Sequence, residues 1–401
     1  MSWKKSTIGD ILSIVKNGIN CKQNKIPIGE KITRIETIAK KFFDYQRVGY
    51  ASLTKDEKRR NKLKVGDILF SHINSPIHVG KTAIYKGEED IYHGINLLLM
   101  RTISEVNPYF FNLYLNHLFL TGYWENNCKK SVNQASVNQK DISKIVFNYP
   151  PLPIQQKIVD KLDAIFAEID KATAVAEANI KNAEALFQSY LNKIYDIKEN
   201  LTKLKDCTKI KPPKSEIKIL KGNTPVSFIP MESLGINNKF IISKQSKELE
   251  IVKGSYTYFK EDDILLAKIT PCFENGKLGI ANNLENGIGF GSSEYIVFRV
   301  NQNLDKEWLY YFLNRESFRR LGSKHMSGSV GHKRITKEFI EETLIPLIPI
   351  SHQKKLVSNI DNLFLQSQRL KKASQNKISE LFLLKNSILK QAFNGELVKA
   401  A

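Results

Sequence analysis

One sequence pattern occurs twice along the chain, and this duplication restricts the possible folds more than any other feature. Residues 35–36, 66–69 and 80–84 recur 196 positions later, as residues 231–232, 262–265 and 276–280. After one short change in length, residues 115–116 and 163–166 recur 198 positions later, as residues 313–314 and 361–364. An offset that persists over most of the chain predicts two copies of one structural unit.

Each copy has a globular part followed by a long helix. The globular part mixes short apolar runs, such as Ile68-Leu69-Phe70 and Ile264-Leu265-Leu266, with turn residues and helical stretches, which is typical of an α/β (α+β) domain. We expect domains at residues 1–148 and 199–345. Residues 149–198 and 346–401 would each form a long helix with a proline-rich lead.

The two long helices carry an apolar stripe with steps of three or four residues, the pattern of a coiled coil. We predict that they pair antiparallel, with a pseudo-two-fold axis relating the copies. The stripe residues that would form this scaffold are Ile158, Leu162, Ile165, Ile169, Ile180 and Phe187 in the first helix, and Ile360, Leu363, Leu370, Ile378, Leu381 and Ile388 in the second.

The composition points to a polyanionic partner. Lys and Arg total 61 against 41 Asp and Glu, a net charge of +20, although a lysine-rich genome would produce the same excess. We see neither a signal peptide nor an apolar run long enough for a membrane span, so we expect a cytoplasmic protein without a membrane partner. The four cysteines are scattered and suggest neither a zinc site nor a disulfide framework.

We find no motif for catalysis, metal binding or cofactor binding. Residues 75–82 resemble a phosphate-binding loop, but the loop needs a glycine where Ser75 stands, so Gly80-Lys81 is interpreted as a turn before a strand. The glycine cluster at residues 287–291 has no counterpart in the first copy and is interpreted as a loop. Residues 148–151 contain the letters of an adenine methyltransferase motif in the wrong order.

Two matched segments rich in amides, hydroxyls and cations are the best candidates for DNA contact. Asn and Gln can pair with adenine, Arg with guanine, and Lys with phosphates. The candidates in these segments are Lys129, Lys130, Asn133, Gln134, Ser136, Asn138, His325, Ser327, Ser329, His332, Lys333 and Arg334. Weaker candidates, which follow matched strands, are His72, Asn74, Lys268 and Thr270.

Several segments resemble the specificity subunit of type I restriction–modification systems. Residues 152–166, which contain Gln155-Gln156-Lys157-Ile158-Val159, are similar to the central repeated region of that family, and residues 348–356 are a looser copy. Residues 388–397 resemble its terminal segment, and residues 269–277 are typical of its recognition domains.

The resemblance implies two target recognition domains that read a bipartite site on double-stranded DNA. It also implies that the helices dock two adenine-N6 methyltransferase subunits and, in the larger complex, restriction subunits. The chain itself would catalyse nothing and hold no cofactor, with S-adenosylmethionine, ATP and Mg²⁺ bound by the partner subunits. The alternative is a non-catalytic coiled-coil adaptor that joins protein partners without sequence-specific DNA binding. Because the two candidate segments differ in their side chains, we expect an asymmetric target.

Overall fold

The structure, a computed structural model, describes residues 3–132, 134–329 and 331–397. It divides into two compact units, the first made of Met1–Ala176 and Asn376–Ala401 and the second of Glu177–Gln375. Both boundaries fall inside long helices, so each unit contains a globular part and segments of two helices.

The secondary structure alternates short strands with short helices, apart from two long helices. In chain order the strands β1 to β21 are Leu12–Asn17, Glu30–Ile32, Gly49–Ala51, Ile68–Phe70, Ile73–Asn74, Thr82–Ile84, Leu98–Thr102, Lys129–Ser131, Gln134–Ser136, Leu201–Lys203, Thr208–Ile210, Pro225–Ile229, Gln245–Glu248, Thr257–Lys260, Ile264–Ala267, Leu278–Ile280, Ile288–Gly291, Tyr295–Val300, Met326–Ser327, Arg334–Ile335 and Leu344–Pro346. The helices α1 to α11 are Lys55–Asn61, Pro108–Leu120, Tyr123–Asn127, Gln139–Ser143, Leu152–Tyr195, Leu204–Cys207, Leu249–Val252, Lys306–Asn314, Glu316–Lys324, Lys337–Glu342 and Ile350–Phe393. The 3-10 helices are Ile35–Ile38, Lys214–Ile217, Met231–Ser233 and Glu285–Gly287.

Each unit is built on the same antiparallel sheet. The strand order is β1-β7-β4-β6 in the first unit and β11-β18-β15-β16 in the second. In β4, Ile68 and Phe70 enter one buried cluster while Leu69 enters another, because successive side chains point to opposite faces of a strand. Both faces of the sheet are therefore covered, which explains a continuous apolar run in place of alternation. The predicted duplication and fold class are confirmed.

The second unit contains a four-stranded sheet, β13-β12-β17-β14, whose central strand corrects one prediction. The glycine cluster forms β17, a buried strand parallel to β12 and antiparallel to β14, and is not a loop. A Cβ on Gly289 would lie 2.0 Å from a ring carbon of Phe259. Glycine is needed because an aromatic ring lies directly on the strand, and this packing overrides the low strand propensity of glycine.

The Gly-Lys repeat marks a turn before a strand, as predicted. Gly80 has φ +88°, and a Cβ there would lie 2.2 Å from the ring of Trp124. The Lys81 ammonium donates to the carbonyl of Ala39 at 2.8 Å, and Lys277 donates in the same way to Met231 at 2.7 Å. In both units this hydrogen bond joins the turn to the segment of a 3-10 helix. The lysine thus has a structural role that does not involve a phosphate.

A buried glutamine fastens each long helix to its globular part. The Gln155 side chain is fully buried; it accepts from the Asn107 backbone N–H at 2.8 Å and donates to the carbonyls of Glu105 and Pro150. Gln353 makes the same three bonds, to Asp305 N–H and to the carbonyls of Asn303 and Ile348. The glutamine that follows each proline-rich lead is thus a structural residue.

Segments of the two long helices pack antiparallel within each unit. In the first unit, Lys385 of α11 lies 3.0 Å from Asp170 of α5, and the Lys161 ammonium reaches the carbonyl of Leu397 further along. In the second unit, the Ser367 hydroxyl donates to the carbonyl of Ala183 at 3.1 Å, and the Phe364 and Phe187 rings lie 5.2 Å apart. In both units, residue numbers fall along α5 as they rise along α11, so the helix segments are antiparallel.

The predicted apolar stripe follows this packing, apart from Leu370. Of the twelve stripe residues, the buried ones are Ile158, Leu162, Ile169, Phe187, Ile360 and Leu381. The half-buried ones are Ile165, Ile180, Leu363, Ile378 and Ile388. Leu370 is 46% exposed, and its assignment to the stripe is wrong. Between Leu363 and Ile378, the positions spaced by three or four residues are Ser367, Lys371 and Ser374. The Lys371 ammonium lies 3.4 Å from the Glu184 carboxylate. Polar side chains thus interrupt the apolar stripe in this part of α11.

Within the described residues, no helix is both long enough and apolar enough to cross a lipid bilayer.

Candidate nucleic-acid interface

In the first unit, two candidate segments distant in sequence form one three-stranded sheet, the first hairpin sheet, made of β5, β9 and β8. Ile73 pairs with Ser136, which pairs in turn with Lys129. The Val137 N–H donates to the carbonyl of His72 at 2.9 Å and extends the pairing. The sheet brings together most of the first-unit candidates, namely His72, Asn74, Lys129, Lys130, Gln134 and Ser136.

In the second unit, β19 and β20 form a hairpin that bridges to Ile269; this is the second hairpin sheet. Ser327 pairs with Arg334, which pairs in turn with Ile269. The Ile335 N–H donates to the carbonyl of Lys268 at 2.9 Å, and the Thr270 N–H to that of Lys333 at 2.9 Å. The segment at Lys268 and Thr270 is therefore joined to the segment around Arg334.

The two hairpin sheets have the same register. The pairing Ile73–Ser136–Lys129 becomes Ile269–Arg334–Ser327 under the offsets of 196 and 198 residues seen in the sequence. The backbone frame is the same, while the side chains at matched positions differ. The matched pairs are His72 with Lys268, Asn74 with Thr270, Lys129 with Ser327 and Ser136 with Arg334.

Several candidates already have structural partners. Asn138 caps α4, where its side chain accepts from the Asp141 N–H at 2.8 Å. The Asn74 side chain bonds the Ser71 hydroxyl at 3.0 Å and the Ser75 N–H at 2.8 Å. The His325 ring stacks on Phe339 with 4.8 Å between centroids. Asn133 lies outside the described residues.

Other candidates on the two hairpins are exposed. They are Lys129, Lys130 and Gln134 in the first unit, and Ser327, Ser329, His332 and Lys333 in the second. The His332 N–H closes the second hairpin on the carbonyl of Ser329 at 3.0 Å.

A neutral network lies beside the first hairpin sheet. The His72 side chain is buried, its Nε2 lies 3.2 Å from Asn17 Nδ2, and Asn17 also accepts from Gln139 at 3.4 Å. Burial lowers the pKa of His72, so its imidazole is uncharged at neutral pH. The surface beside the first hairpin sheet therefore carries amide side chains and a neutral imidazole.

In the second unit, the surface beside the second hairpin sheet carries charged side chains. Arg334 donates to the Glu294 carboxylate through Nε and Nη2, both at 2.9 Å. The Lys268 ammonium donates to the carbonyl of Ser293 at 2.9 Å and lies 3.9 Å from the same carboxylate. Hydrogen bonds from Arg334, with the charge of Lys268, hold the pKa of Glu294 below its usual range. Sequence reasoning missed Glu294 because its partners lie 40 and 26 positions away along the chain.

A cavity of about 660 Å³ opens beside the second hairpin sheet. Five cationic side chains line it, namely Lys211, Lys214, Lys268, Arg334 and Lys337. Three tyrosines, Tyr256, Tyr258 and Tyr295, also contribute to its wall. Cations that attract phosphates beside aromatic rings suit a nucleic acid. Sequence reasoning missed this surface, although the run Lys211-Pro-Pro-Lys214 was a signal for it.

The arrangement provides hydrogen-bond donors and positive charge. Among residues 3–132, 134–329 and 331–397, no cluster of three or more His, Cys, Asp or Glu side chains could hold a metal ion. The two hairpin sheets present two different sets of polar and cationic side chains on one backbone frame.

Comparison with protein-family models also finds two copies along the chain. A family model described as the type I restriction modification DNA specificity domain matches residues 1–179 and matches again at residues 198–380. The two matches correspond to the two copies found in the sequence.

Known proteins with similar sequences are specificity subunits. The chain is 29% identical to a candidate MjaX type I restriction enzyme specificity subunit of Methanocaldococcus jannaschii, with 95% of this chain and 92% of that protein covered. It is 32% identical to the EcoAI type I restriction enzyme specificity subunit of Escherichia coli, over 56% of this chain and 38% of that protein.

Two solved structures have a similar fold. One is a chain from a study of complex assembly and conformational transition of the type I R-M system, with a TM-score of 0.73, 17% identity and 98% of both chains covered. The other is the HsdS subunit of Thermoanaerobacter tengcongensis, with a TM-score of 0.56, 17% identity, and 98% and 97% covered.

Proposed function

Because the chain belongs to the type I restriction modification DNA specificity family, we propose that it reads a bipartite, asymmetric target on double-stranded DNA. The observation that carries this proposal is the pair of hairpin sheets, which share one register and present different side chains. Two unlike readers on one repeated frame suit two unlike half-sites.

We further propose that the long helices hold two adenine-N6 methyltransferase subunits and, in the larger complex, restriction subunits. S-adenosylmethionine, ATP and Mg²⁺ would bind to those partners, and this chain would supply recognition alone. Exposed apolar side chains on α11, at Phe382, Leu383 and Leu384, support a docking role for this helix.

DNA binding by the chain together with its methyltransferase subunits is expected to depend steeply on salt. If about six phosphates are contacted, the affinity falls about 10³-fold between roughly 50 and 200 mM salt, because each neutralised phosphate releases counterions. Fluorescence anisotropy with a labelled duplex that carries the target measures this slope. A duplex of equal length without the target is the control, and we expect it to bind at least about 10³-fold more weakly.

The same measurement separates this proposal from the adaptor alternative. A coiled-coil adaptor would form the complex with its protein partners and show no preference between the two duplexes. Equal affinity for both duplexes, with the methyltransferase subunits present, would therefore favour the adaptor.

A further inference from the structure

We propose that Arg334 reads a guanine in the half-site of the second unit, with Glu294 as the residue that positions it. This inference rests on the proposed DNA-reading function and assigns one base contact within it. Arg334 is 46% exposed in its side chain and lies on β20, in the strand pairing that joins the candidate segments of this unit.

The hydrogen bonds of Arg334 leave a defined pair of donors. A guanidinium carries five N–H groups. Nε and Nη2 each donate one to Glu294, and Nη1 donates one to the carbonyl of His332 at 3.3 Å. One N–H therefore remains on each terminal nitrogen. Two N–H groups of one guanidinium can bond O6 and N7 of guanine in the major groove.

Glu294 is itself fixed in place. Its backbone carbonyl accepts from the Lys268 N–H at 2.9 Å, and its own N–H donates to the Ser292 hydroxyl at 3.2 Å. Because both ends of the ion pair are tied to the backbone pairing around β20, the free edge of the guanidinium is oriented before DNA binds. Such preorganisation favours recognition of one base.

The first unit has no arginine–carboxylate pair at the matched positions. Ser136 stands in place of Arg334, and Asn96 in place of Glu294 by the offset of 198 residues. A serine hydroxyl can contact any of several base edges, and it lacks the pair of N–H donors that a guanidinium offers. Recognition of guanine by the Arg334–Glu294 pair would therefore be limited to one half-site and would contribute to the asymmetry of the target.

The surroundings favour DNA over another anion. The cavity beside Arg334 has a volume of about 660 Å³ and is lined by four further cations. Phosphates of a strand that passes through this surface would meet the lysines. Arg334, held by a carboxylate, has part of its charge neutralised and is better suited to a base edge than to a phosphate.

The test compares variants in complex with the methyltransferase subunits, by competition binding with duplexes that replace each guanine of the target in turn by adenine. Arg334→Gln is expected to reduce discrimination at one guanine of one half-site by roughly 5- to 150-fold. Glu294→Gln, which keeps the arginine but removes the second acceptor, is expected to relax discrimination at the same base pair. Arg320→Gln is the same substitution at an exposed arginine of α9 that is not a DNA-contact candidate, and it is expected to leave base preference unchanged.

The outcomes are distinguishable. If the wild-type complex shows no sequence preference, the proposed function fails. If it shows a preference and neither half-site contains guanine, or if Arg334→Gln weakens all duplexes equally, Arg334 does not read a guanine, and this inference is overturned while the function stands. If Arg334→Gln fails to assemble, Glu294→Gln decides the matter, because unchanged discrimination in that variant would exclude a positioning role.

Discussion

Asp67→Asn is expected to lower the free energy of unfolding of the first unit by about 3 kcal/mol, because removing one partner of a buried ion pair leaves the other without compensation. The Asp67 carboxylate is fully buried; it accepts from Arg101 Nε at 2.6 Å, from Nη2 at 2.7 Å, and from the Lys64 N–H at 2.8 Å. Asparagine has the same shape but places an amide NH₂ against one of these donors.

The repeat supplies an internal comparison for this prediction. Asp263 accepts from Arg299 and from the Lys260 N–H in the same geometry, at 2.7 Å for each contact. Arg299 also donates to Glu216 at 2.6 Å. Asp263→Asn would leave Arg299 with a carboxylate partner, so we expect a smaller loss in the second unit.

Urea unfolding with hydrogen exchange of the sheet amides measures each unit separately. The control is Asp56→Asn, the same substitution at an exposed pair with Arg59 at 2.8 Å, where we expect a loss of about 0.5 kcal/mol. A loss for Asp67→Asn no larger than for Asp56→Asn would show that the buried pair does not stabilise the sheet.

Gln155→Leu is expected to destabilise the first unit by about 3 kcal/mol, since it removes the partner of one buried N–H, one buried carbonyl and one partly buried carbonyl. The neighbouring Gln156 is exposed and serves as the control, with an expected loss under about 1 kcal/mol for Gln156→Leu. Gln353→Leu is expected to act in the same way on the second unit.

Hydrogen exchange also checks this pair of variants. Gln155→Leu should increase exchange at the start of α5 and in α2, and Gln353→Leu at the start of α11 and in α8. If both variants exchange like the wild type in those helices, the buried glutamines do not fasten the long helices.

The strands and long helices could be predicted from sequence because their causes are local. The runs around Ile68 and Ile264 are apolar without alternation, as suits strands covered on both faces. The long helices were expected within residues 149–198 and 346–401, each after a proline-rich lead. In the structure they are Leu152–Tyr195 and Ile350–Phe393. The first helix includes Pro153, because proline is tolerated in the first turn of a helix.

What could not be predicted depends on contacts between distant residues. Gly289 lies in a strand because the ring of Phe259 covers it, and no local pattern shows that contact. Leu370 is exposed, because the packing of the two helices decides which side chains are buried. The ion pair of Arg334 with Glu294 joins a hairpin to a turn 40 positions away.

The site was predicted in part. The candidate segments were chosen by composition, and the structure brings the segment at His72 together with the segment at Ser136, which composition alone could not show. Whether these side chains contact DNA stays a prediction. The cavity lined by Lys211 and Lys214 is formed by segments that lie far apart along the chain, and only the charge of that run is visible in the sequence.

Sequencing of N6-methyladenine in a methylation-free host that expresses the chain with its methyltransferase subunits tests the central claim most directly. We expect one split motif, with a methylated adenine in each of two different half-sites and a spacer without base preference. Methylation that is absent, or confined to a continuous motif, would contradict the assignment of two unlike DNA readers to this chain.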